Sequence, residues 1–263
     1  MTSMTDPDPG FGGIARLFSK PALGRLRQAH VAVVGIGGVG SWALEALARS
    51  GVGALTLIDL DDICVSNLNR QVHALAGNVG RSKVEVMAER IQSINPACQV
   101  RAIPEFFTET NADRLLGADL SGVIDAIDNA GNKCLLIARC RERRLRLICS
   151  GGAGGRRDPT AVRSADLADA SNDRLLAQVR RQLRREWGFP KAGERWGVPC
   201  VFSLEPPVYP GLDGSICHQK PKDPTGADLR LNCDAGLGTA SFVTGAFGFA
   251  AAGLLVRELA GAD

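Results

Sequence analysis

Residues 30–34 form a short apolar run that stops at Gly35, whereas residues 40–50 set Leu44, Leu47 and Ala48 on one helical face. Strand, glycine turn and helix is the simplest reading of that change in period. A second strand is predicted over Ala54–Ile58, ending at Asp59, and a helix over Ser82–Ile94 is closed by Asn95 and Pro96. Further strands are predicted over Gln99–Ile103, Gly122–Ala126 and Arg146–Ser150, with a helix over Gly131–Arg143 between the last two. Strands alternating with helices imply right-handed crossovers, so the fold class is α/β, Rossmann-like, with a mostly parallel sheet.

The pattern weakens after Gly151. GGAGGRRDPT is a Gly-rich hinge, and residues 161–232 offer one basic helix followed by Pro-rich loops around Pro199, Pro206, Pro207 and Pro210. The sheet is expected to continue through Val201–Leu204 and Val208. Ala235 to Val256 carries no charge and is long enough to span a bilayer, but its many small residues favour a helix buried in a soluble protein. The expected organisation is a disordered tail over 1–12, a nucleotide-binding domain over 13–155, and an extension over 156–263 packed on the same fold. The polar, Pro-rich first ten residues lack the features of a signal peptide, so a cytoplasmic location is expected.

Composition adds little until its distribution is considered. Thirty-one basic against 28 acidic residues leave +3, too small a total to argue for nucleic acid alone. Locally, though, Arg180, Arg181, Arg184 and Arg185 crowd the helix starting near Arg174, with leucines and Val179 for burial and the arginines outward. That face reads either as a contact for RNA phosphates or as a solvated helix surface. The eight cysteines are scattered without a Cys-x-x-Cys pair, so no stable zinc site is expected.

Three constellations carry chemistry. Gly35, Gly37, Gly38 and Gly40 lie between a strand and a helix, and Asp59 follows at the end of the next strand. Such glycines let backbone approach a phosphate at a helix N-terminus while the carboxylate accepts from ribose hydroxyls. This pattern points to an adenine nucleotide without saying which. The polar loop with Asp61, Asn67, Asn69 and Arg70, followed by Lys83, supplies fixed cations that a reacting triphosphate needs more than a nicotinamide diphosphate does. Asp125, Asp128 and Asn129 stand just past the fourth strand, where a carboxylate can hold Mg²⁺ on the phosphates or cap the next helix.

Together GIGGVGSW, LIDLDDICVSNLNRQ, Gly80-x-Ser82-Lys83 and DAIDN resemble the E1/ThiF-type adenylation domain of ubiquitin-activating enzymes and their bacterial relatives, over roughly residues 10–155. The resemblance implies ATP and Mg²⁺, with Asp59 on the ribose, Asn67, Arg70 and Lys83 on the phosphates, and Asp128 on magnesium. It also implies a homodimer in which an arginine near the N-terminus reaches the partner's site, and Arg16 is its match. FGGIARLFSK, RQVHAL, GNVGRSKVEVMAERIQSINP, GGAGGRRDPT, CVFSLEPPVYP and FVTGAFGFAAA resemble, more narrowly, the tRNA threonylcarbamoyladenosine dehydratases over nearly the full length. Gly10 departs from the arginine expected before FGG, which puts the N-terminal contact to a neighbouring subunit in doubt.

The implied reaction is ATP-dependent cyclisation of N6-threonylcarbamoyladenosine at position 37 of tRNAs that read codons beginning with A. A carboxylate cannot close a ring by expelling hydroxide near neutral pH, but its acyl-adenylate can expel AMP, and intramolecularity assists the second step. No enzyme nucleophile is needed, so Cys233, at the entry to the C-terminal helix, has either a covalent role or a structural or sulfur-accepting one. A cysteine-desulfurase or sulfur-acceptor system is the corresponding partner. Two other functions compete: an activator of a sulfur-carrier or ubiquitin-like protein, which would bring paired Cys-x-x-Cys ligands, and an NAD-dependent oxidoreductase, in which Arg70 and Lys83 would be idle. A monovalent cation, Na⁺ or K⁺, is a further candidate beside the nucleotide.

Overall fold

In the computed structural model, two short helices, α1 (Gly12–Phe18) and α2 (Lys20–Gln28), precede strand β1 (His30–Val34), all of whose residues are buried. The description covers residues 9–191, 193–211, 213–219 and 237–262, and Cys233 lies outside it. Pro9–Phe11 form a 3-10 turn leading into α1, so residues 9–12 are structured rather than part of a disordered tail. After β1 come α3 (Gly38–Arg49), β2 (Ala54–Ile58), α4 (Lys83–Ile94), β3 (Gln99–Ile103), the single turn α5 (Ala112–Leu115), β4 (Gly122–Asp125), α6 (Ala130–Glu142) and β5 (Leu147–Ser150). Helix α3 begins at Gly38, inside the glycine motif, two residues before the expected start.

The chain beyond the Gly-rich hinge supplies β6 (Val162–Asp166), α7 (Arg174–Glu186), β7 (Pro199–Ser203), the small ribbon β8 (Tyr209–Pro210) with β9 (Ile216–Cys217), and α8 (Ser241–Ala260). The sheet continues through β7, which pairs parallel to β5, and ends in β6, an antiparallel edge strand that the pattern of residues 162–166 does not announce. Val208, expected in the sheet, instead precedes the separate ribbon and donates to the Gly155 carbonyl.

The order β3-β2-β1-β4-β5-β7-β6 makes β1 and β4 neighbours although their chains leave toward opposite faces. Side chains alternate along each strand, and the two faces collect different partners. Val31, Val33, Leu55, Leu57 and Ile124 pack with α3, α4 and α8, whereas Ala32, Val34, Val123 and Cys149 pack with α6 and α7. Both faces are covered, which is why the parallel strands read as continuous apolar runs.

Helix α8 is long and apolar enough to cross a membrane by length and composition, yet it lies against α3 and the sheet and is half buried. The contact requires glycine: a Cβ on Gly248 would sit 2.5 Å from the Val39 carbonyl oxygen and 2.8 Å from the Ala43 nitrogen. Phe247 fills the core side, while Phe242 and Phe249 remain exposed.

Candidate active site

The parting of the chain between β1 and β4 leaves a cleft over the carboxyl ends of the strands, where open α/β sheets bind ligands. Its volume is about 720 Å³, and Gly35, Gly37, Gly38, Asp59, Lys83 and Asp128 are among its lining residues. The glycine turn is sterically compulsory. Gly35 has φ of +88°, and a Cβ on Gly40 would lie 1.9 Å from the Gly35 carbonyl oxygen. Gly37, at the N-cap of α3, has nothing within 4 Å of where a Cβ would stand, so the backbone there is open to a ligand.

Asp59 closes one side of the cleft. One carboxylate oxygen accepts from the Ile36 N–H at 2.5 Å and the other from the Asp61 N–H at 2.9 Å, which joins the glycine turn to the end of β2. Burial pushes its pKa up, against the opposing pull of Lys83 and of these two amides. Lys83 is 6% exposed at the first position of α4, held there by its N–H to the Asp61 carbonyl. Its Nζ lies 2.7 Å from Asp61 Oδ2. Arg70 completes the cationic side: its carbonyl accepts from Trp42 Nε1 and Thr244 Oγ1, pinning the loop to α3 and α8. The guanidinium donates to the Ser66 carbonyl and to Asn69 Oδ1, with no carboxylate partner among the described residues.

The remaining expected residues divide. Asn67 lines the cleft, although its Oδ1 already accepts from the Cys64 N–H at 3.2 Å. Asn69 does not line it and donates instead to the Thr239 carbonyl. Asn129 is taken by a structural duty: its side chain caps α6 by accepting from the Asn132 N–H at 3.1 Å. That leaves Asp128 exposed on the cleft wall and, among the described residues, without an ion pair, so magnesium binding and helix capping fall to adjacent residues as separate options. Arg16 is exposed on α1 and does not line the cleft of its own chain.

The basic helix differs most from expectation. Arg180, expected outward, is half buried and donates to the Leu167 carbonyl, and Arg184 stacks 5.3 Å from the Trp196 ring centroid. Only Arg181 and Arg185 are exposed, and Arg185 pairs with Glu186. Trp196 adjoins Leu147 and Pro199, the first residues of β5 and β7, so Arg184 belongs to the edge of the sheet opposite the cleft. The hydrophobic face was legible from spacing; which end of the helix adjoins the site was not.

One functional support escaped sequence reasoning. Lys133 and Asp125 are both fully buried, with Nζ 2.8 Å from Asp125 Oδ1, and that oxygen also accepts from the Ile127 N–H. Burial opposes the lysine's charge, but Asp125 beside it prevails and raises its pKa. The pair therefore clamps the turn that presents Asp128. A lysine whose helical neighbours Leu136, Ile137 and Cys140 are all buried was the available signal. Lys133→Met is expected to cost about 3–5 kcal/mol in urea unfolding because it strands a buried carboxylate. A loss under about 1 kcal/mol would contradict the clamp.

Comparison with known proteins adds the family. The ThiF family model matches residues 13–261. The chain is 48% identical to the tRNA threonylcarbamoyladenosine dehydratase of Escherichia coli strain K12 over 95% of this chain and 92% of that protein. Identity to the same-named protein of Haemophilus influenzae is 44%, over 98% and 96%. The crystal structure of the E. coli tRNA N6-threonylcarbamoyladenosine dehydratase in complex with ATP superposes with a TM-score of 0.85 at 44% identity, covering 98% of this chain and 97% of that one.

Proposed function

From a chain that belongs to the ThiF family, and within it to the tRNA threonylcarbamoyladenosine dehydratases, we propose an enzyme that uses ATP to cyclise N6-threonylcarbamoyladenosine at position 37 of tRNA. The observation that carries the reading is the convergence of a glycine turn, Asp59, Lys83, Arg70 and Asp128 on one cleft. In a protein of this family that cleft takes ATP, with Asp59 toward the ribose and the two cations toward the phosphates.

A carboxylate oxygen of the threonyl group attacks the α-phosphorus, and pyrophosphate departs with the electrons of the broken bond. Lys83 and Arg70 offset the charge that develops, as fixed cations in a shielded site do without reorganising. A nucleophilic atom of the modified base then attacks the acyl carbon, the ring closes, and AMP leaves carrying one former carboxylate oxygen. Net loss from the nucleoside is one water. No step is assigned to Cys233.

The residues present fit magnesium carried by the triphosphate. That ion takes oxygen ligands and keeps few protein ones, and Asp128 offers a carboxylate with no ion pair among the described residues. Among the described residues no group of three or more His, Cys, Asp or Glu could hold a metal alone, which suits an ion arriving with its substrate. When bound it would neutralise charge on the phosphates. No residue is assigned to a monovalent cation.

A homodimer belongs to the same proposal, with Arg16 acting in the partner's cleft. It is supported by the absence of Arg16 from its own cleft and by the exposed apolar side chains Leu17, Phe242 and Phe249. A cytoplasmic location, where tRNA is found, and a sulfur-transfer partner complete the proposal. Incubation with ATP and tRNA bearing threonylcarbamoyladenosine, followed by nucleoside mass spectrometry, is expected to show ATP-dependent loss of one water. Unchanged nucleoside mass would overturn the function.

A further inference from the structure

The cleft has a second wall, built by the loop that leaves the carboxyl end of β5 and by the N-terminus of α7, with the loop after β7 behind it. Arg156, 4% exposed, ties these segments by donating to the carbonyls of Glu205 and Asn172. Asp173, the N-cap of α7, accepts from the Gly152 N–H at 2.9 Å and so attaches the helix to the loop lining the cleft. On this base stands Tyr209, the only tyrosine of the chain. The Arg174 guanidinium lies 5.8 Å from its ring centroid and donates to its hydroxyl at 2.9 Å. Leu175, the next residue, and Gly152, which Asp173 holds, both line the cleft, so the pair stands next to that wall, as a rim outside the lining itself.

The charge on this rim is unevenly spent. Arg163 donates only to the Thr160 and Val162 carbonyls, and neither it nor Arg174 has a carboxylate partner among the described residues. The nearby acids are engaged by the protein itself: Glu205 accepts from the Arg157 and Asp158 N–H groups and lies 3.7 Å from the Arg157 guanidinium, and Asp158 accepts from Thr160. This side of the site therefore offers Arg174, without a carboxylate partner, on a partly exposed aromatic ring, and exposed Arg163 on β6, the strand paired with β7. Unstacked RNA bases are recognised by aromatic rings and guanidinium planes, with further arginines on the phosphates.

We propose that the Tyr209–Arg174 rim is the docking surface for the RNA strand next to the reacting adenosine, with a flanking base stacked on the pair and Arg163 on the backbone. The proposal rests on the tRNA reading above. It assigns recognition to the N-terminal end of α7 rather than to Arg181 and Arg185. At 1.5 Å of rise per residue these lie roughly 10–17 Å farther along the helix, toward the edge of the sheet opposite the cleft.

Steady-state kinetics on tRNA bearing threonylcarbamoyladenosine test this. Tyr209→Ala and Arg174→Ala are each expected to raise KM for tRNA about tenfold, leaving KM for ATP and the turnover at saturating tRNA within about twofold. Tyr209→Phe should keep most of the affinity, which separates stacking from a folding defect. Arg163→Ala should lower the slope of log binding constant against log salt by about one. The double variant Arg181→Glu with Arg185→Glu should behave as the parent does. Unchanged tRNA KM in both alanine variants, or a large rise confined to the Arg181 and Arg185 variant, overturns the rim. Failure of the parent protein to act on the tRNA at all would instead sink the function on which it rests.

Discussion

Lys83→Ala is expected to lower kcat/KM for ATP-dependent turnover by about 10²–10³, the usual loss when one preorganised charge facing the transition state is removed. Arg70→Ala should do the same. The lysine is buried at the first turn of α4, and its ammonium pairs, among the described residues, with Asp61, itself exposed. The lysine also offsets the burial of Asp59 without an ion pair to it among the described residues, which leaves the ammonium donors for a ligand. Removing it takes away the cation that offsets the burial of Asp59, so a modest fall in melting temperature should accompany the loss of turnover while the fold persists. For Arg70 the loop is held by its carbonyl, through Trp42 and Thr244, and not by its guanidinium. Near-parental turnover in both variants would refute their assignment to the phosphates.

Asp128→Ala is expected to cost at least about 100-fold in turnover and to raise the magnesium concentration needed for half-maximal rate, with no change in stability. Its neighbour provides the contrast. Asn129→Ala removes the cap of α6 and should cost about 1 kcal/mol in unfolding while leaving the magnesium dependence alone. The two adjacent residues thus separate a ligand role from a structural one. An Asp128 variant that melts early and keeps its activity would reverse the assignment.

How much of this was legible beforehand depends on whether the signal was local. Strands β1, β2 and β3 have the expected bounds because each apolar or alternating run is cut by a residue with a backbone reason to stop, such as Gly35 after β1. The glycine turn and Asp59 were legible for the same reason, since a phosphate-binding turn is a contiguous feature. Strand β6 was not: Val162–Asp166 is an edge strand with only β7 beside it, and its mixed side chains carry no clear alternation. Helices α1 and α2 are separated by Ser19 at φ of +88° and leave Leu17 exposed, which blurs their apolar face.

The site was legible by residue type and less so by orientation. Asp128 and Asn129 are chemically suited to the same two duties, and only the cap that Asn129 places on α6 divides them. The arginines of α7 have helical spacing, but Arg184 turns to Trp196 and Arg180 to the Leu167 carbonyl, contacts made with segments distant in sequence. Lys133 was hidden because its partner sits across a loop on β4. In each case the decisive information is tertiary: which end of an element lies over the carboxyl edge of the sheet.

The central claim is that the cleft activates the substrate's acid on the α-phosphate of ATP, and oxygen-isotope transfer tests it directly. The threonyl carboxylate is enriched in ¹⁸O, one round of cyclisation is run, and the nucleotide products are weighed. The account predicts AMP bearing one ¹⁸O and unlabelled pyrophosphate. Label appearing in orthophosphate alongside ADP would mean activation on the γ-phosphate and would contradict it.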